Sequence, residues 1–237
     1  MNSIDSMSVF PELRTLSAAA AKELAILAGN AIAARGRFSI ALSGGETPRT
    51  LYEILARDYR DAIDWQHVHL YWGDERYVPQ TDHESNYRMA RETLIDRIPV
   101  PESNVHPIPT SFANPEDAAI AYAAELESAM PLDLILLGLG EDGHTASLFP
   151  GTFDPADRRL MIVTRSPKPP LIRISMTLRA INDARNVFFL VAGEEKQGIL
   201  EKIVADREGH YPASLVRPKG KLAWFLDRLS SEPRIKN

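Results

Sequence analysis

Apolar positions along the chain follow two different periods, and the switches between them divide it into helices and strands. In residues 17–35, Leu24, Leu27, Ala28 and Ala31 recur at the i, i+3, i+4, i+7 spacing of one helix face, with Ser17 able to cap the start and Gly36 supplying the stop. Phe38–Leu42 reads as a strand, and residues 49–56 as a helix with Pro48 at its first turn. Residues 67–72 alternate as a second strand. A helix over 85–98, capped by Ser85 or Asn86 and turning Met89, Leu94 and Ile98 inward, is ended by Pro99 and Pro101. The proline-rich segment from there to Pro109 reads as an extended connector, and a helix over 115–130 follows. Leu134–Leu137 is an uninterrupted apolar run, the mark of a strand buried on both faces of a parallel sheet. Beyond it the pattern predicts a strand over 160–164, a rigid turn over 165–170, a short helix capped by Thr177 and a strand over Asn186–Val191. A helix from Gly193 to about Val204 and a last strand over 222–226 complete the series. Strands alternating with helices from end to end predict one α/β domain over 1–237, with a mostly parallel sheet and helices on both faces.

Composition narrows the function classes. With 237 residues, 44% hydrophobic and 25% charged, the chain is an ordinary globular one. A net charge of -5 argues against a general nucleic-acid binder, so an anionic ligand has to be held by local groups. The absence of cysteine excludes a disulfide scaffold, thiolate zinc sites and a cysteine nucleophile. Residues 1–10 carry Asp5 and no apolar stretch of the signal type, and no apolar run approaches the roughly 18 residues of a membrane span, so a cytoplasmic, membrane-free protein is the expectation. The pattern leaves the oligomeric state open.

Candidate chemistry gathers at the carboxyl ends of the predicted strands, where ligands of open α/β sheets sit. After the run 134–137 come Glu141, Asp142 and His144, interleaved with Gly138, Gly140 and Gly143. An imidazole beside two carboxylates suits a general base; the same turn also reads as a strand-to-helix connection with His144 at the helix start. After strand 38–42 the segment Ser43-Gly-Gly-Glu-Thr-Pro48 leads into a helix, so free backbone N–H groups and a helix amino end converge as they do around phosphates. A plain strand-to-helix turn is the alternative there. Two acids and an arginine, Asp74, Glu75 and Arg76, crowd another strand end. Prolines would hold Lys168 on a stiff loop, and Lys196 in a first helical turn opposes the macrodipole, which hints at an anionic ligand. His67 and His69 share a strand face as a metal pair would, without a third ligand nearby in sequence.

Taken together, six blocks closely resemble the 6-phosphogluconolactonases of the glucosamine-6-phosphate isomerase/6-phosphogluconolactonase family. They are Ser43-Gly-Gly-Glu-Thr-Pro48, Trp72-Gly-Asp-Glu-Arg-Tyr-Val-Pro79, Ser85-Asn-Tyr-Arg-Met-Ala90, Gly138-Leu-Gly-Glu-Asp-Gly-His-Thr-Ala-Ser-Leu-Phe-Pro-Gly151, Ser166-Pro-Lys-Pro-Pro170 with Arg173-Ile-Ser, and Leu190-Val-Ala-Gly-Glu-Glu-Lys196. The resemblance implies a Rossmann-like fold shared with glucosamine-6-phosphate deaminase. It also implies hydrolysis of 6-phospho-D-glucono-1,5-lactone to 6-phospho-D-gluconate in the oxidative pentose phosphate pathway, with no metal and no cofactor. On that reading His144 is the base, Asp142 or Glu141 its partner, and Arg76 and Lys168 the groups that stabilise substrate oxygens. Ser43, Gly44, Gly45, Thr47, Arg173 and Lys196 would take the phosphate. Two alternatives are a deaminase-like isomerase and a non-catalytic phosphosugar sensor. In the deaminases a glutamate follows the same turn to assist ring opening, and Phe149 stands at its position here.

Overall fold

The computed structural model describes residues 6–206 and 208–231. Its framework is a six-stranded, all-parallel sheet in the order β1-β9-β8-β5-β2-β3. In chain order these strands are β1 (Ser6–Phe10), β2 (Phe38–Leu42), β3 (Val68–Trp72), β5 (Leu134–Leu137), β8 (Asn186–Val191) and β9 (Lys221–Asp227). Of the four interior strands, β8, β5 and β2 are near-continuous apolar runs, and all but Asn186 in them is buried. That is the composition a strand needs when elements cover both of its faces.

The helices are α1 (Leu13–Arg35), α2 (Glu46–Asp58), α3 (Asn86–Thr93), α4 (Pro115–Glu127), α5 (Leu178–Asn182), α6 (Gln197–Ala205) and α7 (Arg228–Ser231). α1 packs on α2 and runs across β2, β8 and β9. By length and composition alone it would be long and apolar enough to cross a membrane, although Arg14, Lys22 and Glu23 interrupt its apolar sequence. Its stripe of Leu16, Ala20, Leu24, Ala28 and Ala31 is nevertheless buried within the fold, as in a core helix. Beneath the amino ends of the strands, the buried Asp133 carboxylate binds Arg35 at 2.5 Å, Arg185 at 3.3 Å and the backbone N–H of Ser39 at 2.9 Å. This knot fixes α1, β2, β5 and β8 at the end opposite the site.

A second sheet departs from the sequence expectation. β4 (Asp74–Arg76), β7 (Ile172–Met176) and β6 (Met161–Arg165) pair antiparallel in the order β4-β7-β6. The reason is connection length. Only residues 166–171 separate β6 from β7, whereas a parallel return needs a crossover of a dozen or more residues. The helix expected over 85–98 also breaks: α3 stops at Thr93 and a short 3-10 turn, Ile95–Arg97, follows. Thr93 Oγ1 donates back to the Met89 carbonyl at 2.7 Å, a local bond that competes with helix continuation.

Candidate active site

A cavity of about 950 Å³ opens beyond the carboxyl ends of β2, β5 and β8, with one wall supplied by the small sheet. The ten residues that the family resemblance casts in catalytic or phosphate-binding roles all line it, namely Ser43, Gly44, Gly45, Thr47, Arg76, Asp142, His144, Lys168, Arg173 and Lys196, as does Glu141, while Glu75, His67 and His69 do not.

The turn after β5 is closed by two backbone bonds, Gly140 N–H to His144 O at 2.9 Å and Gly143 N–H to Gly140 O at 3.0 Å. Gly143 is left-handed, with φ of 83°. A side chain at Gly140 would place its Cβ 2.0 Å from His144 Nδ1, so only glycine lets the imidazole lie back on the turn. No helix follows His144; the chain instead makes a second tight turn in which Ala146 is left-handed at φ 48°. His144 therefore belongs to an irregular loop, and the helix-start reading is corrected. Asp142 Oδ1 lies 2.5 Å from His144 Nδ1 and also accepts the His144 backbone N–H at 3.1 Å. Burial works to raise the Asp142 carboxyl, but the bonds and charge of His144 outweigh it and hold the group below the ordinary carboxylate range. Glu141 is exposed and makes no such contact, so the carboxylate that meets the ring is Asp142. The Phe149 ring packs against the imidazole, centroids 4.6 Å apart.

The cations come from elsewhere. Arg76 and Arg173 are direct register partners on β4 and β7. Arg76 Nη1 donates to Glu84 O at 2.6 Å, and Arg173 Nε to Pro170 O at 2.9 Å, bonds that aim the two side chains. Burial and the neighbouring Arg76 charge lower the Arg173 pKa, yet a guanidinium stays charged in proteins. Lys168 sits on the loop between β6 and β7, which Ser166 braces by donating its hydroxyl to Lys168 O at 2.7 Å. Lys196 lies across the cavity, in the 3-10 turn Glu194–Lys196 that leads into α6. That turn, not a regular helical one, carries the lysine.

The phosphate-type loop is tighter than its sequence indicates. α2 begins at Glu46 rather than at residue 49, so Gly45, at φ 106°, is its N-cap and the loop abuts the helix amino end. Tyr52 pins the loop by accepting the Ser43 N–H at 2.9 Å and donating to Ser43 O at 2.8 Å. Gly44 is jammed against Asn86, whose Oδ1 would lie 1.8 Å from any Cβ at that position.

Several residues that shape the site were given no catalytic or binding role in the sequence reading. Ser85, not Asn86, caps α3 through Arg88 N–H, and Asn86 instead donates to Asp74 O at 2.9 Å. Ser147 Oγ donates to Asp74 Oδ2 at 2.6 Å, and Ser175 Oγ accepts the Ser147 N–H at 3.1 Å, joining the His144 loop to the small sheet. Glu75 accepts the backbone N–H groups of Arg76, Asn86 and Tyr87 at 2.7–2.8 Å and the Ser85 hydroxyl at 3.1 Å. Burial pushes its carboxyl up to about 7 despite those donors. Only the crowding of acids after Trp72 signalled this cluster. The His67–His69 pair does not form: His67 meets Asp64 at 2.8 Å, while His69 meets His106 at 3.2 Å, and no cluster able to hold a metal occurs among the described residues.

Known proteins of one family resemble this chain in sequence and fold. The family model described as glucosamine-6-phosphate isomerases/6-phosphogluconolactonase matches residues 11–224. The 6-phosphogluconolactonase of Synechocystis sp. is 46% identical over 85% of this chain and 87% of its own length. That of Mycobacterium tuberculosis is 38% identical over 94% and 96%. Among solved structures, 6-phosphogluconolactonase from Thermotoga maritima superposes with a TM-score of 0.84 at 32% identity, covering 94% of this chain and 99% of that one. The Trypanosoma brucei enzyme gives 0.85 at 31%, covering 95% and 97%. A monomeric glucosamine-6-phosphate deaminase shares the fold, with a TM-score of 0.83 at 19% identity, 95% of this chain and 98% of that one.

Proposed function

The chain belongs to the glucosamine-6-phosphate isomerase/6-phosphogluconolactonase family, and from that membership we propose how its reaction, hydrolysis of 6-phospho-D-glucono-1,5-lactone to 6-phospho-D-gluconate in the oxidative pentose phosphate pathway, runs in the cavity. The observation that carries the mechanism is the 2.5 Å contact between Asp142 Oδ1 and His144 Nδ1. It commits the Nδ1 proton to the carboxylate and leaves Nε2 as the basic nitrogen. A water held at Nε2 gives up a proton as its oxygen bonds to C1, and the carbonyl electron pair moves onto its oxygen. Arg76 and Lys168 stabilise that oxyanion as donors already in place before charge develops. When the intermediate collapses, the bond from C1 to the ring oxygen breaks and the proton on Nε2 passes to the departing oxygen. Ser43, Gly44, Gly45, Thr47, Arg173 and Lys196 bind the 6-phosphate; the planar fork of Arg173 suits two of its oxygens. Every step is assigned to side chains, backbone and water, with no cofactor.

The rival ring-opening isomerisation needs an acid-base group beside the histidine, and the Phe149 ring occupies that side of the imidazole. The sensor reading has no specific observation in its favour.

The test is acid release from freshly generated lactone, corrected for spontaneous opening, with His144→Ala beside the wild type. Turnover is expected to fall by about 10²–10⁴-fold, the usual contribution of a general base, while 6-phosphogluconate still binds. Near-unchanged turnover would remove His144 from the chemistry.

A further inference from the structure

The turn carrying the Asp142–His144 pair is held from outside at one point. Among the described residues, the only hydrogen bond reaching residues 140–144 from a distant part of the chain is Ala213 N–H to Gly143 O, at 3.2 Å. The Tyr211 ring covers the same residue, since a Cβ on Gly143 would come within 2.5 Å of Tyr211 Cδ1 and 3.0 Å of its Cβ and Cγ. Gly143 is the residue between Asp142 and His144. Whatever fixes Tyr211 and Ala213 therefore fixes the peptide that joins the pair.

Beside the local turn bonds Ser214 N–H to Tyr211 O at 2.9 Å and Val216 N–H to Ala213 O at 3.4 Å, the tie from this segment back to α6 runs through one carboxylate. Asp206 ends α6, and its side chain is only 2% exposed. Oδ1 accepts the backbone N–H groups of Glu208 at 3.2 Å and Gly209 at 3.0 Å, and meets His210 Nδ1 at 3.2 Å. Oδ2 accepts the Tyr211 N–H at 3.1 Å and the Ser214 hydroxyl at 2.6 Å. His210 is mostly exposed, and its Nε2 pairs with Glu208 at 3.2 Å. The donors outweigh burial and hold the Asp206 carboxyl well below its ordinary range, so it accepts as an anion throughout the working pH range. None of its atoms lines the cavity.

We propose that Asp206 is a positioning residue for His144: it knots the loop after α6 so that Tyr211 and Ala213 clamp Gly143 and set the Asp142–His144 contact. The inference rests on the reading of His144 as the base. Nothing in it requires Asp206 to touch substrate. Its effect is on alignment, where a displacement of about 1 Å can cost 10²-fold in rate.

Asp206→Asn keeps the size of the side chain but turns an NH₂ toward donors. The expected result is a kcat lowered about tenfold or more with KM within about twofold, because alignment and not ground-state binding is lost. The acid limb of the kcat profile moves to lower pH, since a loosened Asp142 favours the imidazolium less. Tyr211→Leu lowers kcat in the same way, and the double variant falls no further than the worse single one, the signature of a shared path. Ser214→Ala, which removes the hydroxyl's 2.6 Å bond to Asp206 and its 2.7 Å bond to Tyr211 O while leaving the carboxylate in place, serves if Asp206→Asn does not fold, and shifts kcat and the acid limb in the same direction. A lowered melting temperature with wild-type kcat and acid limb in these variants would make Asp206 purely structural and overturn the proposal. His144→Ala in parallel separates the two readings. If His144→Ala retains turnover the base assignment fails; if it loses turnover while the Asp206 and Ser214 variants keep theirs, only the positioning role fails.

Discussion

At Asp142 a single oxygen serves two bonds, one to the His144 backbone N–H and one to Nδ1 of the same residue. The first shapes the turn and the second orients the ring, so the residue cannot be judged by charge alone. Asp142→Asn is expected to lower kcat by about 10²-fold or more while leaving KM near its wild-type value, because an amide can satisfy the turn yet no longer fixes the tautomer or steadies the imidazolium. Steady-state rates on fresh lactone check this, and a change confined to KM would place Asp142 in binding. The carboxylates at 141 and 142 were equivalent as sequence; only the sharp reversal at Gly143, with its φ of 83°, decides which one returns to the ring.

Between elements, Glu75 is the fastening of β4 to α3. Its carboxylate gathers three backbone N–H groups and the Ser85 hydroxyl, more than one amide oxygen can take. Glu75→Gln is expected to cost about 1–3 kcal/mol through buried donors left unpaired, read as a lower melting temperature, with kcat lowered because Arg76, the group proposed to stabilise the oxyanion, shares the strand. A variant as stable as the wild type would leave β4 anchored by other means. The elements also divide by how far local pattern determines them. β5 and β8 match the sequence expectation residue for residue, since a strand buried on both faces writes its boundaries as an apolar run. β4 does not, because Asp74, Glu75 and Arg76 read as a polar loop and become a strand only through long-range pairing with β7. β1, whose Ser6–Phe10 forms a sheet edge, was equally unmarked. The contact of Tyr211 and Ala213 with Gly143 was invisible for the same reason: it joins positions with no shared period.

Across the whole molecule, His144 follows a strand of the parallel sheet, while Arg76, Lys168 and Arg173 belong to the small antiparallel one and Lys196 to the loop after β8. A chain of net charge -5 thus concentrates four cations around one cavity. For a phosphorylated lactone, KM is expected to climb as salt shortens the Debye length from about 30 Å at 0.01 M to about 3 Å at 1 M, while kcat changes little. Initial rates across a sodium chloride series measure it; a flat KM would mean that these cations do not draw the substrate in. The contact of Gly44 with Asn86 reaches across the same divide, tying the loop after β2 to the first residue of α3. Its consequence lies in descent more than in chemistry. An alanine at 44 fits only if position 86 shrinks, and a smaller residue at 86 releases the demand for glycine at 44. Lineages that depart from this pair should therefore do so at both positions, and an intermediate bearing only the first change would be rare.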